Sequence, residues 1–291
     1  MNIMIIGANG LLGRYLVDIL KGSTDLFAVV RDKNKIKFKD NKVNVVEVDL
    51  TNFNVDTLPK SIDIIFYLAQ SNRFREFPDG VNDMLNVNVC APIQIVQWAL
   101  KNGVKKFIYA SSGGVYLNQP CPAKEFFQID ANNKLGFYLN SKMAAEMLLK
   151  NFASFFETFI ILRPFFMYGA GQSSAMLIPR LINNVIDGND IILNGIDGIR
   201  INPICILDAA RIVAKTIDLK GEYIFNIAGA EIVSIRQLAE IVGELVGKRP
   251  IFSQNNINSN DLIGDISNMI EKLDRPIINI FNGIEKMVKA L

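Results

Sequence analysis

NIMIIGANGLLG, residues 2–13, is the stretch that decides the fold. A short, mostly apolar run leads into glycines at positions 7, 10 and 13, and an amphipathic stretch then continues to Leu20. A strand, a glycine turn and a helix start are the context of a dinucleotide-binding fingerprint, although the spacing is G-x-x-G-x-x-G rather than the commoner G-x-G-x-x-G. The first glycine makes the turn, the second lets the backbone approach a pyrophosphate, and the third lets helix pack on strand. The stretch therefore predicts a dinucleotide site.

Apolar runs and helical patterns alternate through the first half of the chain. This alternation predicts an α/β fold with a doubly wound, parallel Rossmann sheet and a smaller C-terminal lobe that binds substrate. The predicted strands lie at 2–6, 26–30, 43–48, 64–68, 107–110 and 158–162, and the predicted helices at 81–102 and from Tyr138 to about Phe152.

The alternation loosens after Arg163-Pro164, where the second lobe is expected to begin. Residues 1–165 form the predicted dinucleotide domain, and 166–203 with 229–291 form the substrate-binding lobe. Residues 204–228 are expected to return to the first domain, through strands at 204–207 and 223–227. The lobe is expected to contain a helix at 176–186, another that a capping box at 234–237 opens, and an aperiodic loop at 255–260. A second aperiodic loop is expected in the first domain, at 120–133.

Residues that follow the predicted strands are candidates for cofactor contacts, because open α/β sheets bind ligands at the carboxyl ends of their strands. Arg31 follows the second strand and favours the 2′-phosphate of NADP, while its neighbour Asp32 keeps NAD open. Asp49, after the third strand, is a candidate for the adenine amino group or for a turn residue. The other predicted cofactor contacts lie in the glycine turn, after later strands and on helices: Gly7, Asn9, Gly10, Leu11, Leu12, Leu50, Leu68, Ala69, Gln70, Asn88, Ala110, Ser111, Tyr138, Lys142, Pro164 and Phe165.

A candidate catalytic group follows from Ser111-Ser112 and, one loop later, Tyr138-Leu139-Asn140-Ser141-Lys142. On a helix, Tyr138 and Lys142 share a face, so the ammonium can lie beside the phenol. A tyrosine titrates near pKa ~10, and a nearby cation lowers that pKa by stabilising the phenolate. Ser112 is the natural partner for a substrate oxygen that alternates between alcohol and carbonyl. The pattern predicts acid–base chemistry near neutral pH beside a hydride acceptor.

Composition excludes several classes of site. The chain has no histidine, which removes Ser-His-Asp and Cys-His schemes and His-dependent metal sites, and no metal is predicted. Lys plus Arg number 31 against 29 acids, a net charge of +2 that gives no bias towards nucleic acid or membrane. Three scattered cysteines suit a reducing compartment, and no segment approaches 18 uncharged apolar residues. We therefore expect a cytoplasmic protein.

Taken together, the motifs resemble an extended short-chain dehydrogenase/reductase of the NAD-dependent epimerase/dehydratase group, which modifies nucleotide sugars. The resemblance runs nearly end to end. Its motifs are Gly7, Gly10 and Gly13, the strand-end Asp49, Asn88 in Asn-Val-Cys-Ala, Ser111 to Tyr116, Tyr138 to Lys142 with Ala144-Ala145-Glu146 behind them, Leu162-Arg163-Pro164, Tyr168-Gly169, and Arg200-Ile201-Asn202-Pro203 ahead of Asp208.

The resemblance implies a nucleotide-sugar 4-epimerase with NAD or NADP, in which C4 of the sugar is oxidised to a ketone and reduced again. Tyr138 would move the proton at the sugar hydroxyl, Lys142 would lower its pKa and hold the nicotinamide ribose, and Ser112 would align the oxygen. A homodimer through helices 82–102 and 136–151 is also implied. The expected substrate contacts are Ser71, Ser112, Gly113, Gly114, Phe166 and Arg200.

Three departures from the family pattern bear on substrate. Gly113-Gly114 stand where family dehydratases carry Asp-Glu, which disfavours 4,6-dehydration. Residues 260–265 stand where the family commonly has an Arg that grips the diphosphate, followed by Pro-Gly-Asp, which leaves Arg200 as the best diphosphate contact. At the end of the fourth strand, where the family usually has His before Ala-Ala, this chain has Tyr67-Leu68-Ala69-Gln70.

Two alternatives to the epimerase stay open. One is an NADPH-dependent reductase of a 4-keto-6-deoxy nucleotide sugar, which Arg31 and the missing acids favour. The other is a non-catalytic dinucleotide-binding sensor or scaffold. The complete set of Tyr138, Lys142 and Ser112 argues against a silent binder.

Overall fold

The computed structural model describes residues 1–22, 25–36, 38, 42–117, 119–129, 135–255, 257 and 260–290. Its strands are β1 (Asn2–Ile6), β2 (Asp25–Val30), β3 (Val43–Glu47), β4 (Ile64–Tyr67), β5 (Lys106–Ala110), β6 (Thr158–Pro164), β7 (Asp190–Asn194), β8 (Arg200–Ile201), β9 (Gly221–Ile227), β10 (Val233–Ser234) and β11 (Ile251–Asn255). Seven of them form one sheet in the order β3-β2-β1-β4-β5-β6-β9, and the pairs from β3 to β6 run parallel. The predicted doubly wound Rossmann sheet is confirmed.

The sheet winds outward from β1 in both directions, so its switch point lies between β1 and β4. Residues 3–6 and all of β4 are fully buried, as parallel strands with both faces covered require. One face packs against Ile95, Ala99 and Leu149 of the helices that follow β4 and β5. The carboxyl ends of these strands therefore share one edge, where ligands of open α/β sheets bind.

The helices are α1 (Leu11–Leu20), α2 (Val81–Leu85), α3 (Ala91–Lys101), α4 (Phe137–Lys150), α5 (Leu177–Asp187), α6 (Ile206–Ala214), α7 (Ile235–Val246), α8 (Ser267–Lys272) and α9 (Ile280–Val288). The helix predicted at 81–102 is interrupted by a π-helical turn at Asn86–Cys90, which joins α2 to α3 and contains Asn88. The capping box at Ser234 and Gln237 is present and opens α7, as predicted. Among the described residues, no helix has the length and apolar content needed to cross a membrane.

The strand predicted at 204–207 is wrong, because α6 begins at Ile206 and only an isolated bridge joins Cys205 to Tyr168. The buried residues Ile206, Ala209, Ala210 and Val213 recur with helical spacing, and this period outweighs the short apolar run that suggested a strand. The strand predicted at 223–227 is present as part of β9 in the main sheet. The loops predicted at 120–133 and 255–260 lie partly outside the described residues.

The chain divides into two compact units. The first unit consists of Met1–Val115, Ile129–Arg163 and Ala210–Phe225, and the second of Tyr116–Gln128, Pro164–Ala209 and Asn226–Leu291. In the second unit, β7 pairs with β11 in parallel, β8 pairs with β10 antiparallel, and α5, α7 and α9 enclose a separate apolar core. Each unit thus has a core of its own.

Candidate active site

The glycine turn after β1 has a geometry that only glycine fits at two positions. Gly7 has a φ of +85°, and a Cβ there would lie 2.8 Å from the backbone nitrogen of Ala69, at the switch point. A Cβ on Gly13 would lie 2.3 Å from the carbonyl oxygen of Gly7. Gly10 is the N-cap of α1, and none of the described residues provides a side-chain cap. The amides of the first turn, including Leu11 and Leu12, therefore suit an anionic group such as a pyrophosphate.

The two residues that follow β2, Arg31 and Asp32, have different surroundings. The Asp32 carboxylate pairs with the Lys35 ammonium at 3.1 Å and accepts the Asn34 N–H at 2.9 Å. Lys35 and then the Asn34 amide hold the pKa of Asp32 below its usual range. Arg31 is exposed at the strand end. Asn9 also reaches this turn, since its amide donates to the Lys35 carbonyl at 2.8 Å.

Asp49, the predicted adenine contact after β3, acts as a turn residue within the protein. Its carboxylate accepts hydrogen bonds from the Thr51 N–H at 3.0 Å and the Thr51 hydroxyl at 2.8 Å. This is the alternative that the sequence left open beside adenine binding. Leu50, next along the chain, packs partly buried against the core of the first unit.

The segment after β4 is tied to α2 and to the π-helical turn. The buried Ser71 donates its N–H to the Asn88 side-chain oxygen at 3.0 Å, and its hydroxyl donates to the Asp83 carboxylate. Asn88 in turn donates to the Ser141 hydroxyl on α4 at 3.0 Å. These contacts give Ser71 a structural role, and its contact with substrate stays a prediction. Ser141 was not predicted, because nothing in its local pattern marks a partner 53 positions away.

Lys142 lies on the buried face of α4. Only 1% of it is exposed, and its ammonium donates to the Ala110 carbonyl at 2.9 Å and approaches the Ala69 carbonyl at 3.4 Å. The Nζ atom also lies 5.1 Å from the centre of the Tyr109 ring. Burial lowers the pKa of Lys142 to about 7, against a smaller opposing effect of the Glu146 carboxylate. Near neutral pH this side chain therefore exchanges readily between its charged and neutral forms.

Tyr138 lies in the first turn of α4, one turn before Lys142, and the residue is partly buried. The hydroxyl donates to the Gln70 side-chain oxygen at 2.8 Å, and the ring centre lies 5.2 Å from that of Phe74. Burial raises the pKa of Tyr138 to about 12, and the Ser112 hydroxyl acts in the opposite direction. The expected lowering of this pKa by Lys142 is therefore wrong for the protein alone. Desolvation of the phenol is the larger effect, and the opposing effect comes from Ser112.

The loop after β5 holds the serines. The Ser112 hydroxyl accepts the Gly114 N–H at 3.1 Å, which leaves its own proton for the Tyr138 phenol or a substrate oxygen, while Gly113 begins a 3₁₀ turn. Ser111 is buried, and its hydroxyl has no hydrogen-bond partner among the described residues. A buried hydroxyl of this kind is satisfied when a bound group supplies the missing partner. Together with the uncapped glycine turn, this hydroxyl fits a dinucleotide along the strand ends.

The residues of the second unit that were predicted as contacts differ in exposure, partners and backbone conformation. Arg200 is exposed and pairs with Asp261, with Nη2 and Nε at 2.6 and 2.8 Å from one carboxylate oxygen. Pro164 ends β6, and the buried Phe165 ring stacks on Tyr116 with centres 6.0 Å apart. Phe166 has a φ of +41°, a strained conformation for a bulky residue and of the kind found at ligand sites.

Comparison with known proteins gives three kinds of similarity. A model of the NAD dependent epimerase/dehydratase family matches residues 3–228. UDP-glucuronate 4-epimerase from Thermodesulfobacterium geofontis (strain OPF15) is 26% identical over 282 residues, 94% of this chain and 86% of that protein. Escherichia coli dTDP-4-dehydro-6-deoxyglucose reductase is 29% identical over 244 residues, 79% of this chain and 75% of that protein. The solved structure of MoeE5 in complex with UDP-glucuronic acid and NAD is 25% identical, with a TM-score of 0.84 over 100% of this chain and 98% of that chain.

Proposed function

The chain belongs to the NAD dependent epimerase/dehydratase family, and from this membership we propose that it is a nucleotide-sugar 4-epimerase. One observation carries the proposal. Tyr138 and Lys142 lie one turn apart on α4, and the Lys142 ammonium donates to the carbonyl of Ala110, which ends β5 two residues before Ser112. This arrangement supports the action of an acid–base group, a cation and a hydroxyl at the carboxyl edge of the sheet, where open α/β sheets bind their ligands.

NAD or NADP, when bound, would accept hydride from C4 of the sugar and return it. Tyr138 would take the proton from the C4 hydroxyl as phenolate and give it back as phenol. Ser112 would donate a hydrogen bond to the same oxygen. Lys142 would hold the nicotinamide ribose and, as ammonium, lower the phenol pKa from the high value that burial sets. Inversion requires that the 4-keto sugar present its other face before the hydride returns.

The cofactor would lie along the strand ends of the first unit. The amides around Gly10 would bind the pyrophosphate, and Arg31 and Asp32 would meet the adenosine ribose. MoeE5, with bound NAD, supports NAD for this chain too. Arg31 favours NADP, because it is exposed while Asp32 is engaged by Lys35 and Asn34.

A second candidate is an NADPH-dependent reductase of a 4-keto-6-deoxy nucleotide sugar. Two observations favour it beyond the similarity to the Escherichia coli reductase. Arg31 suits a 2′-phosphate. Tyr138, with its pKa raised to about 12, is a proton donor at rest, which is the form that ketone reduction needs.

Identification of the cofactor that copurifies, followed by a substrate panel, distinguishes the candidates. The protein is purified without added cofactor, denatured to release any nucleotide, and assayed with UDP-, dTDP- and GDP-sugars for C4 inversion, with and without NADPH. We expect bound NAD and inversion without added reductant. The reductase would be favoured if the purified protein contains no nucleotide, binds added NADPH and consumes it with a 4-keto sugar. Bound dinucleotide with no turnover of any substrate, in the wild type as in Tyr138→Phe, would favour a sensor or scaffold.

A further inference from the structure

Gln70 contacts the atom that moves the proton. The Tyr138 hydroxyl donates to the Gln70 side-chain oxygen at 2.8 Å, although the two residues are 68 positions apart. Gln70 follows the end of β4 by three residues and is exposed. Both residues belong to the first unit. The sequence predicted Gln70 only as a cofactor contact, so its position beside the phenol needs its own explanation.

A phenol has one proton and can donate it to one acceptor at a time. The Gln70 side-chain oxygen accepts that proton only while Tyr138 is neutral, so the contact stabilises the phenol against the phenolate. Ser112 acts in the opposite direction, because its hydroxyl lowers the pKa of Tyr138 and so favours the phenolate. Two neighbouring side chains therefore oppose each other in setting the charge of Tyr138.

We propose that Gln70 is a positioning residue that keeps Tyr138 protonated, and its hydroxyl turned away from the reaction, until a substrate oxygen replaces the Gln70 oxygen. For the proton to reach the sugar oxygen, the hydrogen bond to Gln70 must break and one to the substrate must form. Gln70 thus acts as a stand-in for the substrate carbonyl. The identity of the substrate oxygen rests on the proposed function, whereas the effect on the phenol does not.

Other groups face the same phenol, and a test must separate them from Gln70. Lys142 lies one turn along α4, Tyr109 faces it from β5, and Arg75 lies over the Phe74 ring, with Cζ 5.0 Å from the ring centre. None of these groups changes when Gln70 alone is replaced. A shift in the titration of Tyr138 on replacing Gln70 therefore reports the contact itself.

The experiment measures that titration directly. The protein is labelled with fluorotyrosine, whose ring fluorine reports ionisation in the ¹⁹F spectrum and whose phenol titrates at lower pH than tyrosine. Tyr138→Phe identifies the Tyr138 signal, one of seven, by its loss. Gln70→Met keeps the length of the side chain and removes the acceptor, while Gln70→Glu keeps an acceptor and adds a negative charge. Gln254→Met, an exposed glutamine on β11, is the matched control.

We expect Gln70→Met to lower the titration midpoint of Tyr138 by about one pH unit, the size of one hydrogen bond. Gln70→Glu should raise it by at least as much, since a carboxylate repels the phenolate. The pH profile of turnover should move in the same two directions. A Tyr138 signal that stays at its wild-type midpoint in both Gln70 variants would overturn the proposal, as would shifts of the same sign. If the midpoints move as expected but no nucleotide sugar reacts, Gln70 keeps its role and the proposed function fails.

Discussion

Arg163 and Glu146 form a buried ion pair beside the candidate site. Nη2 and Nε of the guanidinium lie 2.6 and 3.1 Å from the two carboxylate oxygens, and only 2% of each side chain is exposed. Glu146 lies one helical turn beyond Lys142, and its charge raises the pKa of Lys142 against the lowering by burial. The ion pair therefore holds the Glu146 carboxylate near Lys142, where its negative charge favours the protonated form of Lys142.

Loss of the Glu146 carboxylate should lower both the stability of the protein and the positive charge on Lys142. We expect Glu146→Gln to lower the free energy of unfolding by ~3 kcal/mol, because the Arg163 charge then lacks its buried counter-ion. The pKa of Lys142 should fall further. Urea denaturation measures the first effect, and Glu157→Gln is the matched control, since it breaks an exposed ion pair with Lys220 at 2.9 Å. Equal losses in the two variants would contradict the importance of burial.

Lys142 should make stability depend on pH in a defined direction. Its folded pKa of about 7 is below the unfolded value of ~10.4, so the unfolded chain binds more protons between these values and stability rises with pH there. The cost of burying the ammonium is complete below pH ~7 and disappears towards pH ~10.4.

Lys142→Met should remove that cost. We expect the variant to be more stable than the wild type at pH 6, by on the order of 2 kcal/mol, with a gap that closes towards pH 10. Denaturation at a series of pH values measures the gap. Lys150→Met, at the exposed end of α4, should show no comparable dependence on pH. A gap for Lys142→Met that is the same at every pH would show that the ammonium is not desolvated.

Short-range sequence patterns correctly predicted the features that depend on neighbouring residues. The turn through Gly7 and Gly13, the capping box at Ser234 and the strands of the Rossmann sheet all follow from short-range spacing and hydrophobic periodicity. The strand predicted at 204–207 failed, because a short apolar run fits a helix or a strand equally well. The helical spacing that decides between them continues past the run to Val213.

Contacts between distant positions could not be predicted in the same way. Tyr138 and Lys142 lie one turn apart on α4, and their pairing stays a prediction, because the direction of the Tyr138 pKa depends on burial by the surrounding chain. Nothing near Gln70 in sequence indicates that its side chain contacts Tyr138. The contact of Asp49 is local. Its carboxylate accepts a hydrogen bond from the Thr51 N–H, as expected of the turn residue that the sequence left open as an alternative.

Tyr138→Phe should separate catalysis from folding. Removal of the hydroxyl takes away the acid–base group, so we expect turnover to fall by about 10²- to 10⁴-fold. The melting temperature and dinucleotide binding should stay close to those of the wild type, because the residue is only partly buried. Tyr223→Phe removes a hydroxyl that donates to the Lys220 carbonyl at 3.1 Å and should retain activity. Similar turnover in both variants would remove Tyr138 from the mechanism.

The glycines of the first turn should differ in what they support. Gly13→Ala places a Cβ 2.3 Å from the Gly7 carbonyl oxygen, so α1 must move, and we expect a loss of ~2 kcal/mol in unfolding free energy. Gly10→Ala meets the same oxygen at 3.1 Å, which a small shift relieves. It should therefore cost less stability but still weaken dinucleotide binding, which needs close backbone approach. Thermal denaturation and cofactor titration of both variants measure the two effects, and equal destabilisation would contradict the distinction.

The homodimer implied by the family resemblance should use the exposed apolar side chains of α2 and α4. Leu85, Met147 and Leu148 are exposed on these helices of the first unit, and burial of such a patch is what an isologous interface provides. We expect the protein to sediment as a dimer at micromolar concentration and Met147→Lys to sediment as a monomer, because the interface cannot pair the new charge. Ile270→Lys, which alters an equally apolar exposed residue on α8, should remain a dimer. A wild-type monomer would contradict the homodimer, and a dimer that Ile270→Lys dissociates and Met147→Lys does not would assign the contact to another surface.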